Sequence, residues 1–146
     1  MRRFLFTIFL TFSLIFPWHS HSIASNANIQ QDSKELMIQD ILMLFLGEPI
    51  EKAVNEYYSK LLTINPLVYP YQIDVIKVER LGGFRTFHFM ITLEVTPVVG
   101  AHNSVGKDRI TFEIAPTIPS QVKLMKYEHI ETHELPPNCS TSLDKQ

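Results

Sequence analysis

The sequence predicts an α+β domain in which two N-terminal helices pack on a four-stranded antiparallel meander. Two consecutive segments, Leu36 to Leu46 and Ile50 to Leu62, carry helical apolar patterns. From Tyr71 onward the apolar period changes to two, and four strand-like segments follow with no helical stretch between them. Helices first and strands afterwards place the helices together on one face of an antiparallel sheet.

The first helix is expected to start at Asp32, with Glu35 completing a capping box. Only Gln39 and Asp40 interrupt the apolar run that follows, so this helix should be buried around most of its circumference. Gly47 reads as its stop, and Pro49 suits the first turn of a second helix. That second helix has Ile50, Ala53, Val54, Tyr57, Tyr58, Leu61 and Leu62 on one face and Glu51, Lys52, Asn55, Glu56, Ser59 and Lys60 on the other.

Tyr71 to Arg80 reads as the first strand, with a slip of apolar phase between Val75 and Ile76 that suggests a bulge or burial on both faces. Gly82-Gly83 signals a two-residue hairpin. In the second strand Phe87, Phe89, Ile91, Leu93 and Val95 alternate with polar residues until Pro97. A loop from Val98 to Lys107 precedes a third strand, in which Ile110, Phe112 and Ile114 point inward. Gln121 to Ile130 reads as the fourth strand. By analogy this order is similar to a cystatin-like or nuclear-transport-factor-like arrangement, a likeness that carries no function.

The N-terminus sets the compartment. Arg2-Arg3, an apolar run from Phe4 to Phe16, and small residues near Ala24 and Ala27 form the pattern of a cleaved signal peptide over residues 1–27, cut after Ala24 or Ala27. The run is too short for a membrane-spanning helix, so the membrane is met only during export. Residues 28–135 form the single domain, and residues 136–146 a polar tail. Removing the leader leaves 11 basic against 15 acidic residues, a net charge of −4, which argues against nucleic acid as a partner. Cys139 is the only cysteine, so no intramolecular disulfide stabilises the fold.

Several segments together carry a family resemblance: Ser33-Lys34-Glu35-Leu36-Met37, Tyr57-Tyr58-Ser59-Lys60, Val68-Tyr69-Pro70-Tyr71, Ile91 to Gly100, Gly106-Lys107-Asp108-Arg109, and Glu131 to Pro137. The chain resembles an uncharacterised family of small exported proteins from Gram-positive, spore-forming bacteria, the domain of unknown function numbered 3888. The resemblance implies an exported protein and supplies no catalytic motif.

Three groups of residues are candidates for chemistry. In an extended strand His129, Glu131 and His133 project to one side, and two imidazoles with a carboxylate form a competent shell for Zn or Fe. The same residues also fit a solvated strand end. His102 and Asn103 lie in a glycine-flanked loop able to bind a ligand. His88, Glu94 and Arg109 share the polar sheet face, where acid–base work needs them within hydrogen-bond reach and cross-strand charge pairing does not. Packing between helix and sheet accounts for Tyr57 and Tyr58. The expectation is an exported, non-enzymatic binding or interaction module. No cofactor is expected for it, Zn entering only with the metal alternative, and the expected partner is an unknown extracytoplasmic protein or small ligand. The alternative is a metal-binding protein or metal-dependent enzyme centred on His129, Glu131 and His133.

Overall fold

The structure, a computed structural model, describes residues 33–135. The expected leader, the Asp32 cap and the tail with Cys139 lie outside the described residues.

One helix, α1, runs from Lys34 to Tyr58. Ser33 caps it, its hydroxyl accepting from the Leu36 backbone N–H at 3.1 Å. The expected pair of helices is therefore corrected to one, and Gly47 and Pro49 both lie inside it. Interior proline costs about 3 kcal/mol relative to alanine. Against that stand Met43 and Leu46, which are buried on one stripe with Ile50, Ala53, Val54 and Tyr58. A break at Gly47 would turn Met43 and Leu46 out of that phase, and each buried side chain of this size contributes roughly 1.5–3 kcal/mol. Continuity of the stripe wins. Leu61 and Leu62, expected on the helix, lie just past its end, where both backbone N–H groups bond the Tyr58 carbonyl.

After a short 3-10 turn at Pro70–Gln72 come β1 (Ile73–Arg80), β2 (Phe89–Val95), β3 (Val98–Val99), β4 (Asn103–Ser104), β5 (Gly106–Ile114) and β6 (Val122–Thr132). The main sheet has the order β1-β2-β5-β6 and is antiparallel throughout. β3 and β4 form a second, two-stranded sheet in the connection expected to be a plain loop. The two-residue turn at Gly82-Gly83 is also replaced by a longer connection from Leu81 to His88. Gly82 and Arg85 both take positive φ there, and the Thr86 hydroxyl bonds the Leu81 and Gly83 carbonyls at 2.7 and 2.9 Å. The register of β1 against β2 shifts between Val75 and Lys77, at the slip of apolar phase.

Three cross-strand pairs make the inner row: Ile91 with Phe112, Leu93 with Ile110, and Val95 with Asp108. All six side chains are fully buried. The outer row opposite them is polar, with Glu94 facing Arg109 and Thr92 facing Thr111. The C-terminal part of α1 closes the inner face. Among the described residues no helix is long and apolar enough to cross a membrane.

Candidate functional site

β5 alternates, so Asp108 takes the inward phase of Ile110 and Phe112 and is fully buried. A buried charge is costly unless it is paired and hydrogen-bonded. Two neighbours meet that need. The Tyr58 hydroxyl, from the last turn of α1, donates to Oδ2 at 3.0 Å, and His129 Nδ1, from β6, lies 2.7 Å from Oδ1. The other imidazole nitrogen, Nε2, is 2.7 Å from the Thr132 hydroxyl. Tyr57 stacks on both His129 and Tyr127, with centroids 5.2 and 5.0 Å apart. Burial first, and then the Asp108 charge, raise the Tyr57, Tyr58 and Tyr127 phenols above the ordinary tyrosine range. The buried Tyr127 hydroxyl makes no hydrogen bond of ordinary geometry among the described residues.

Gly106 is required by this crowding. A Cβ there would collide with the Glu131 backbone carbonyl oxygen, and would lie 2.8 Å from the Tyr58 hydroxyl oxygen and 3.0 Å from His129 Cε1. Thr132, His129 and Asp108 stand in the order hydroxyl, imidazole, carboxylate, which is the arrangement that activates a nucleophile. Acyl transfer also needs a cleft with donors for the developing oxyanion. Two surface grooves open elsewhere. One, of about 430 Å³, lies between α1 and β6, with Phe45, Pro49, Lys52, Val122 and Leu124 in its walls. The other, of about 460 Å³, lies beside Phe87 and Ile114. Through the Tyr58 and His129 bonds, Asp108 joins α1, β5 and β6.

The sequence-predicted residues fall in three places. Glu94 accepts from Arg109 at 3.0 Å and pairs with Lys107 at 3.1 Å; these bonds, Arg109 first, hold its carboxyl below the usual range. His88 instead pairs with Glu113 at 2.7 Å. Glu113 lies four residues beyond Arg109 on β5, about 13 Å at strand spacing. His88 is therefore not brought together with Glu94 and Arg109.

His102 sits in the turn between β3 and β4 with φ 61°, stacks on Tyr69 at 4.9 Å, and has Nδ1 3.2 Å from the Tyr71 hydroxyl. Asn103 pairs with Val99 in the small sheet.

His129, Glu131 and His133 do not share a side. The β5–β6 register shifts so that Asp108 faces His129 while Lys107 faces Glu131, leaving Ile130 as the extra residue. His129 therefore points inward with Asp108, and Glu131 lies on the outer face with Lys107. His133 Nδ1 is 2.6 Å from Ser104 Oγ, and its Nε2 is 3.7 Å from Glu131. Among the described residues, no group of three or more His, Cys, Asp or Glu side chains is placed to hold a metal ion.

A different surface stands out by its exposure. On the outer side of the N-terminal half of α1, Met37, Ile38, Ile41, Leu44 and Phe45 are 47%, 66%, 53%, 69% and 78% exposed. Their spacing keeps them on one stripe, opposite the buried stripe. From Glu48 onward the outer side turns polar, with Glu51, Lys52 and Glu56 all exposed.

Comparison with curated proteins and with solved structures gives no match. The sequence from residue 38 to residue 131 matches the family model described as protein of unknown function (DUF3888), and the chain belongs to that family.

Proposed function

We propose that the chain is an exported, non-enzymatic interaction module that docks a protein partner on the outer face of the N-terminal half of α1. The observation that carries this reading is the stripe Met37, Ile38, Ile41, Leu44 and Phe45, five large apolar side chains bared side by side on one helix. Contiguous exposed apolar surface of this kind marks a contact site, whereas singly scattered apolar residues do not. The N-terminal pattern of residues 1–27 supports export. The metal alternative draws less support, because Asp108 and Thr132 already occupy both nitrogens of His129.

A photo-crosslinking residue at Leu44 in cells expressing the full chain tests the reading. The expected outcome is a discrete light-dependent adduct that is absent when the probe replaces the exposed Lys60 or Lys126. Equal labelling at all three positions overturns it. The N-terminus of the recovered product, expected to follow Ala24 or Ala27, tests the export half, and an intact Met1 would sink that half.

A further inference from the structure

We infer that the partner seated on this face is a second copy of the chain, with the two helices antiparallel across a two-fold axis at Ile41. The inference rests on the docking reading above and names its occupant.

The outer stripe is symmetric about Ile41 in the chemistry it presents. Four residues to either side stand Met37 and Phe45, three to either side Ile38 and Leu44, and seven to either side Lys34 and Glu48. All of these side chains are exposed, Lys34 and Glu48 included. A two-fold axis through Ile41 therefore sets Met37 against Phe45 of the other copy, and Ile38 against Leu44. It also sets Lys34 against Glu48 twice over, once at each end. Such an isologous contact is self-complementary by construction and closes at two subunits. The opposite charges lie at the rim and the apolar residues at the centre, the usual anatomy of a protein interface.

Area points the same way. Taking about 200 Å² for a fully bared large side chain, the five stripe residues expose roughly 600 Å² per copy. That sits at the upper end of what a monomer leaves open and approaches the roughly 800 Å² per partner of a standard interface. The groove between α1 and β6 has Phe45 on its rim, so it lies beside the point where Met37 of the other copy arrives. A membrane surface would be served by the same apolar residues, but it gives no role to an acidic residue matching Lys34 across the centre.

The full chain, purified as its host releases it, is tested by light scattering across a dilution series. The expected mass is twice that of one copy. Ile41→Lys, which sets two cations face to face on the axis, is expected to halve the mass while the chain keeps its folded circular dichroism and loses the dimer's concentration-dependent gain in melting temperature. Lys34→Glu alone is expected to weaken the dimer, and Lys34→Glu combined with Glu48→Lys to restore it. In a Cys139→Ser background, Ile41→Cys is expected to oxidise to a linked dimer. A dimer that survives Ile41→Lys, or a wild-type monomer at every concentration, overturns the inference. If the wild type is monomeric while Leu44 still crosslinks to another protein, the second copy is wrong and the docking reading stands. Failure of both measurements removes both.

Discussion

Asp108 shows how one residue decides a neighbourhood. Its carboxylate is buried, and its two protein partners come from α1 and β6, 50 positions before it and 21 after it. Removing one donor from a buried acceptor costs the acceptor's desolvation, about 1–3 kcal/mol. Tyr58→Phe keeps the ring and its packing, so it isolates that term. The expected loss is about 1–3 kcal/mol of unfolding free energy in a denaturant titration. Thr132→Val should change little, because Thr132 is exposed and water replaces its bond to His129. Asp108 was legible in principle: it stands two residues before Ile110 and therefore shares its inward phase. A charged residue in that phase reads more readily as the strand's end than as a buried centre. The strand pattern groups His129 with Glu131 and His133, yet the bulge at Ile130 turns Glu131 to the opposite face, since a bulge inverts every later side chain. Alternation alone does not locate such an insertion.

At the scale of elements, α1 exposes a conflict between local signals and packing. Gly47 and Pro49 are both helix-ending residues, and both sit inside a continuous helix because the buried stripe runs through them. A Cβ at Gly47 would meet nothing within 4 Å. Gly47→Ala should therefore stabilise the domain by about 0.5–1 kcal/mol through helix propensity and a less flexible unfolded chain. A rise in the urea midpoint at unchanged slope checks this; a fall would mean that the helix needs glycine's freedom there. The nearly all-apolar run from Leu36 to Leu46 predicts burial around most of the circumference, but within a single copy only one side is covered. The strands were legible from period-two alternation, since β2 and β5 obey it without interruption. The β3–β4 ribbon was not, because two-residue strands are too short to show any period.

For the molecule as a whole, the tyrosines around Asp108 set a limit at alkaline pH. Burial and the Asp108 charge raise Tyr58 and Tyr127 in the folded state, while in the unfolded chain they titrate near the ordinary tyrosine value of about 10. A raised folded pKa contributes stability that is complete below the unfolded value and is lost as pH rises toward the folded one. Stability should therefore fall steadily above about pH 10, and phenolate absorbance from these two rings should appear together with unfolding. Tyr127→Phe should make that fall shallower. Phenolate signal from both rings in a still-folded protein would contradict the scheme.

The tie at Asp108 also bears on how the chain matures. Synthesis proceeds from the N-terminus, so α1 and β5 exist before His129 does, and the carboxylate then meets an apolar layer with half its partners missing. Burying that carboxylate without β6 would leave it lacking the His129 bond. The last strand thus completes the pairing of Asp108: a chain cut short before His129 is expected to be less stable by that lost bond as well as by the lost strand pairing.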